Sequence, residues 1–152
     1  MLQRRYGLQG AGFADGKVCD MTGETKLAAL LAGMRPSLQP GVFVFCSIPS
    51  DHAVPQGAEP VMLFREAEGI TLILREEEAD AAGLAKTFAC RMITLEIHSS
   101  LEAVGFLAAI TARLAAAGMG VNPVSAFYHD HLFVPAGRAE EAMAILREMV
   151  TG

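Results

Sequence analysis

Tryptophan is absent from the 152-residue chain and tyrosine occurs only twice. That leaves little from which to build the aromatic platforms on which nucleic-acid bases stack. Lysine and arginine number 12 against 17 aspartates and glutamates, and the formal net charge is −5. The cations are scattered, whereas phosphate binding needs them clustered, so no nucleic-acid partner is expected. No apolar run approaches the roughly 18 residues of a membrane span, so no membrane partner is expected. Cysteine occurs three times, at Cys19, Cys46 and Cys90, with no CxxC pair, which removes zinc knuckles and thioredoxin-type redox motifs. Arg4-Arg5 is followed by Tyr6-Gly7-Leu8-Gln9-Gly10 rather than an apolar export segment. The odd cysteine count and the lack of a secretory signal predict a reducing, cytoplasmic setting. The motifs GxGxxG, GxxxxGK[ST] and GxSxG are missing too, so nucleotide cradles and a nucleophile elbow have no support.

Apolar residues, at 52% of the chain, are what the sequence has in quantity. Residues 1–21 are glycine-rich and aperiodic and read as a flexible leader, with an edge strand at Gly16–Asp20 as the alternative. Thr22 is placed to cap a helix over 23–34, in which Leu27, Leu30, Leu31 and Met34 form one apolar face. Pro36 and Pro40-Gly41 end it. Val42–Ile48 reads VFVFCSI, apolar on both parities, and predicts a strand buried on both faces. Pro49–Pro60 is an exposed loop. Val61–Arg65 and Ile70–Arg75 form a hairpin around Glu66-Ala67-Glu68-Gly69, with Gly69 supplying a positive φ. Glu76–Ala82 is a short acidic helix closed by Gly83, its carboxylates favoured by the helix dipole.

The clearest alternation is MITLEIH at Met92–His98, a strand with Ile93, Leu95 and Ile97 on one face. Ser99-Ser100-Leu101-Glu102 has the form of a capping box, with Ser99 at the N-cap of a helix reaching about Ala117 and stopping at Gly118. Its apolar arc, which includes Leu101, Val104, Leu107, Ile110 and Leu114, is wide enough to face two surfaces. A second hairpin, Val121–Tyr128 and His131–Val134, turns at His129-Asp130. A last amphipathic helix carries Ala139, Ala142, Met143, Leu146 and Met149.

Two stretches can be laid on each other, GITLILREEEADAAGL from Gly69 and DHLFVPAGRAEEAMAIL from Asp130. The complete unit in the second half is βαββα, a ferredoxin-like order. At this point the chain resembles a known family. SLEAVGFLAAITARLAAAGMGVNPVSAF, from Ser100, is similar to the opening of an ACT domain, in which a Pro-Gly loop precedes the helix and Ala-Gly-Ile-Asn-Ile enters the second strand. Here Val104-Gly105-Phe106-Leu107 and Ala117-Gly118-Met119-Gly120-Val121 stand at those places. The stretches ETKLAALLAGMRPSLQPGVFVFCSIP, ITLEIHSSLEAVGF and YHDHLFVP resemble small stand-alone tandem ACT-like proteins of unassigned function, over about residues 22–150. Two departures matter. Val104 replaces the proline, and Gly120 replaces the asparagine, with Asn122 two residues on.

The expected fold is therefore α+β, two ferredoxin-like ACT units packed together, at 22–86 and 87–152. The resemblance implies ligand binding near the loop after the first strand and the start of the second, at His98, Ser99, Ser100, Leu101, Gly105, Gly120, Val121 and Asn122. Free N–H groups near Ser100 and Leu101 would receive a carboxylate, Gly105 would allow close approach, and Asn122 would recognise an amino or carboxylate group. The structural alternative gives Ser99 to its own helix cap, Gly105 to packing and Asn122 to strand entry. The expected function is a regulatory module binding a small molecule, an amino acid, as a homodimer and not an enzyme. A structural or protein-interaction module without a ligand is the alternative, and a small metal-dependent enzyme is the third reading. Tyr128-His129-Asp130-His131 lacks a full ligand set for a metal. A His129/Asp130/Ser99 or Ser125 triad can be assembled only on paper. No cofactor is expected, and Cys46 reads as a packing thiol.

Overall fold

The computed structural model describes residues 23–151. The leader, the Gly16–Asp20 segment and the Thr22 cap lie outside them. The described chain runs α1 (Leu27–Gly33), β1 (Pro36–Leu38), β2 (Phe43–Ile48), β3 (Met62–Arg65), β4 (Ile70–Arg75), α2 (Glu76–Ala81), β5 (Lys86–Leu95), α3 (Phe106–Ala116), β6 (Asn122–Ser125), β7 (Asp130–Pro135), a 3-10 turn (Ala136–Arg138) and α4 (Ala139–Thr151). All seven strands form one antiparallel sheet in the order β3-β4-β2-β5-β7-β6, with β1 also paired to β5.

β5 holds the two halves together. Its first half pairs with β2, Cys46 opposite Lys86 and Phe43 opposite Cys90. Its second half lies between β1 and β7, with Leu95 opposite both Pro36 and Asp130. The two halves have corresponding strand orders, β5-β2-β4-β3 in one and β1-β5-β7-β6 in the other, β5 in the first standing where β1 stands in the second. These are two ferredoxin-like four-stranded arrays, and β5 serves both. Between Phe43 and Phe45 the register slips by one residue, and Phe88 takes a positive φ of 53°. An extra residue at such a bulge bends the strand and strengthens its twist.

The bend brings the helix-free faces of the two arrays together. Phe43 and Phe45 meet Phe133 edge-on at 6.1 and 5.9 Å, and Phe45 meets Phe88 at 5.8 Å. Ile73 and Cys90 complete this shared core. The doubly apolar VFVFCSI strand is thereby explained. Val44, Cys46 and Ile48 face α2 and the Pro49–Pro60 loop, while Phe43 and Phe45 face the other array. Burial of each phenylalanine contributes about 1.5–3 kcal/mol, and each edge-to-face pair about 0.5–1.5 more.

The strands of the repeat match closely. β4 and β7 begin sixty residues apart and have the same alternation of buried and half-buried positions. Their turns also correspond, Glu66 N–H donating to the Gly69 carbonyl and Ala126 N–H to that of His129. The helices do not match. In the second array α3 and α4 cover one face, where Leu30 of α1 and Met34 at its C-cap join Phe106, Ile110, Leu114 and Leu146. In the first array only the six-residue α2 and the loop do so.

Several expectations need correction. α1 starts at Leu27 rather than residue 23, because Glu24 is held in a bridge to Ser99, its carboxylate accepts the Thr25 and Lys26 N–H groups at 2.8 Å each, and Lys26 is extended. The alternating strand runs from Lys86 to Leu95, not from Met92 to His98. β1, three residues of which the first is a proline, is a strand that the pattern did not announce. Ser99 does not cap α3; Gly105 does, at φ 90°, and the helix begins at Phe106. Leu101 and Val104, expected on the buried arc, are 68% and 83% exposed. The second turn spans Ala126–His129, and Asp130 lies within β7. Gly69 is required by close approach and not by positive φ, since a Cβ there would lie 2.6 Å from the Ile48 carbonyl oxygen. The acidic first turn of α2 is as expected. The Arg75 N–H donates to Glu78 at 3.2 Å, and Lys86 Nζ bridges Glu76 and Asp80 at 2.9 and 2.6 Å.

Candidate functional site

β5 leaves the sheet at Leu95 in two tight turns. Ile97 N–H donates to the Leu95 carbonyl at 2.8 Å and Ser99 N–H to that of Ile97 at 2.9 Å. The loop then crosses the end of the β6–β7 hairpin. There Ser99 Oγ donates to Asp130 Oδ2 at 3.0 Å, and Ser125 Oγ donates to Asp130 Oδ1 at 2.6 Å. Asp130 is 6% exposed. A carboxylate so far out of water is tolerable only when its oxygens are hydrogen-bonded, and the two hydroxyls do this. One buried side chain therefore fixes the loop against both strands of the hairpin.

A third segment joins them. Glu24 forms a parallel bridge with Ser99. Glu24 N–H donates to the His98 carbonyl at 3.0 Å, and Ser100 N–H donates to the Glu24 carbonyl at 3.1 Å. Next to this bridge is a pocket of about 200 Å³ lined by His98, Ser99, Ser100, Leu101 and Phe127. Phe127 packs edge-on against Tyr128 at 4.9 Å, and Tyr128 lies 5.9 Å from the His98 ring. The lining thus combines an aromatic ring, an imidazole, two serines and the exposed Leu101.

Of the residues expected to form the site, His98, Ser99, Ser100 and Leu101 come together in this pocket. Gly105 sits at the start of α3 against Leu27, where an added Cβ would be 3.6 Å from the Leu27 side chain. Gly120, Val121 and Asn122 are at the far end of β6. Asn122 pairs with Phe133, three positions along β7 from Asp130, a separation of about 10 Å at strand rise. Val121 packs on the helical core, while Gly120 and Asn122 are exposed. The Ser100 N–H, expected to be free, is taken by Glu24.

Asp130 is the residue that reading by motif passed over. Its signal was present, because strict alternation along DHLFV puts it on the same face as Leu132 and Val134, a carboxylate among core positions. The paper triad is not formed, because both serines donate to Asp130 and neither is presented to a histidine. His131 Nδ1 instead lies 3.1 Å from Thr94 Oγ1 on the opposite face. Burial and then neighbouring His129 push the His131 pKa down, with Asp130 opposing them. Among the described residues, no three His, Cys, Asp or Glu side chains group as metal ligands. Cys46 is buried with its pKa raised by desolvation, and burial pushes Cys90 up to about 12.

Comparisons with known proteins agree with this architecture. Two family models, each described as an ACT domain, match residues 22–91 and 87–148. No curated protein matches the chain. A Vibrio cholerae protein of unknown function, described as a possible transport protein, is 40% identical with a TM-score of 0.74, over 82% of this chain and 95% of that one. An Agrobacterium tumefaciens protein has a TM-score of 0.66 at 16% identity, over 77% of this chain and 89% of that one. The ligand-free regulatory subunit of aspartate kinase from Thermus thermophilus has a TM-score of 0.60 at 11% identity, over 76% and 97%. These last two likenesses show fold alone. With two matched domains, two arrays sharing one sheet and a relative of 40% identity along nearly its full length, the chain belongs to the ACT-domain family, as a small tandem ACT protein.

Proposed function

We propose that this regulatory, ligand-binding type of module takes an amino acid at the β5–α3 loop of its second unit, and that it binds the ligand without converting it. The observation that carries the reading is the loop itself. A buried carboxylate anchors it, and it borders a pocket lined by His98, two serines, Leu101 and the exposed Phe127. The boundary between units falls near Lys86, with 22–86 and 87–152 as the two modules, behind a leader at 1–21. The working form is a homodimer in the reducing cytoplasm. Cys46 and Cys90 remain free thiols there, and Val61, just before the edge strand β3, with Leu63 and Phe64 on it, supplies exposed apolar surface for association. The aspartate-kinase regulatory subunit resembled in fold supports a role in regulation.

The test is a thermal-shift series with each of the twenty common amino acids. A ligand at one hundred times its Kd adds about 2.7 kcal/mol of stability. The expected result is a shift with one amino acid or a few related ones, abolished by Ser99→Ala. A series with no shift at millimolar concentrations overturns amino-acid binding and leaves a protein-interaction module.

A further inference from the structure

The bridge between Glu24 and Ser99 pairs both main-chain groups of one residue with the β5–α3 loop. Glu24 presents its own N–H to the His98 carbonyl at 3.0 Å and its own carbonyl to the Ser100 N–H at 3.1 Å. Both groups hang on one Cα. A free α-amino acid carries the same pair, an amine that donates and a carboxylate that accepts, on one Cα. The His98 carbonyl and Ser100 N–H thus form a notch complementary to an amino acid's main-chain end, and Glu24 fills it. The fit is close. A Cβ on Gly23 would collide with the Ser100 nitrogen and lie 2.6 Å from the Ser99 carbonyl carbon and 2.8 Å from the His98 oxygen. Only glycine lets the segment lie this near. The Glu24 side chain turns away from the notch, its Oε1 accepting from Thr25 and Lys26, and the Ser99–Leu101 pocket stays open beside it.

Resting on the amino-acid reading above, we propose that Gly23–Thr25 is an intramolecular competitor at the site. It is a strap whose Glu24 mimics the ligand's main chain, and a free amino acid gains the notch only when the strap lifts. The two states conserve hydrogen bonds. The closed one has Glu24 on His98 and Ser100, and the open one has the ligand amine and carboxylate on the same two groups. Binding is then weakened by the fraction of molecules whose strap is closed. Ligand occupancy is reported to α1, which starts two residues after the strap and packs on α3 and α4.

The experiment uses the full chain and two variants. Gly23→Val crowds the strap out, and Glu24→Pro removes its donor and sets a ring carbon against the His98 carbonyl; circular-dichroism melts verify that each folds. Titration calorimetry with the twenty common amino acids is read alongside hydrogen exchange at the Glu24 and Ser100 amides. The expected result is that the amino acid bound by the parent chain binds the variants about tenfold or more tightly, as for a strap closed in about nine molecules of ten. Saturating the parent chain with that ligand should deprotect the Glu24 amide while Ser100 stays protected. Equal affinity in all three proteins, or a Glu24 amide that stays protected in the saturated parent, overturns the strap and leaves amino-acid binding standing. Absence of binding to all three proteins overturns the amino-acid reading, and the strap's role falls with it.

Discussion

The two arrays have nearly the same strands and very different covers. β4 and β7 bury the same positions in the same order, and their hairpin turns close with the same hydrogen bond. Yet the helical face of the second array holds fifteen buried residues from three helices, two strands and the positions Met34 and Met119, and that of the first holds seven beneath a six-residue helix and a loop. A repeat can preserve its pleat while its helices are redistributed, because register is set by which side chains alternate inward, whereas any apolar stripe of suitable width can cover a sheet. α1 shows the difference, since it precedes the first array in the chain and packs on the second. The candidate ligand loop occurs where the cover is thickest and where that extra helix brings its leading segment across.

The comparison is open to attack at its cores first. Leu114→Ala in the second array should cost about 3–5 kcal/mol, at the upper end for a buried leucine among rigid helices. Leu72→Ala in the first should cost about 2–3, because the loop-covered side can collapse into the space. Urea unfolding curves give both values, and equal costs would mean that the two covers are equally rigid. The next effect separates site from scaffold. Asp130→Ala strips the Ser99 and Ser125 hydroxyls of their acceptor and should cost about 1–3 kcal/mol. Hydrogen exchange should then quicken at 97–101 and in the β6–β7 turn while β3 and β4 stay protected. Loosening of both arrays together would show that the carboxylate supports the whole sheet.

The smallest effect is in pH. The native pKa of His131 is depressed below its ordinary 6.5, chiefly by burial. Between 6.5 and the lower native value the unfolded chain takes a proton that the folded chain refuses, so stability is lost as pH falls through that window and is retained above it. Comparing the parent chain with His131→Gln at pH 7 and pH 5 should show a steeper acid loss in the parent. Parallel slopes would remove His131 from the pH response.

What could be read beforehand was the part governed by local alternation. VFVFCSI declared a strand buried on both faces, ITLILR and HLFV declared themselves as hairpin strands, and the family resemblance extended over both units. What escaped depended on partners far away in the chain. The Ser99–Glu102 pattern is a sound local capping signal, but the Ser99 hydroxyl is drawn to Asp130, thirty-one residues on, and the helix waits for Gly105. β1 has three residues, the first a proline, too few for a period, and exists because β5 offers it an edge. Gly120–Asn122 stood near the site in the family pattern, but β6 carries them away from it. Asp130 was legible in principle, as a charge where alternation required an apolar residue.

Sharing β5 has a consequence for the order in which the molecule can be made. α1 and β1 leave the ribosome early, but β1 must wait for the second half of β5, and α1 for α4, which is synthesised more than a hundred residues later. Until then their apolar faces have no destination, and closing so long a loop is slow. The first array can zip its hairpin, but not the completed sheet, before Lys86–Cys90 emerges. Nascent chains should therefore remain vulnerable to proteases and dependent on holding chaperones through most of synthesis, with cooperative protection arriving late and nearly at once.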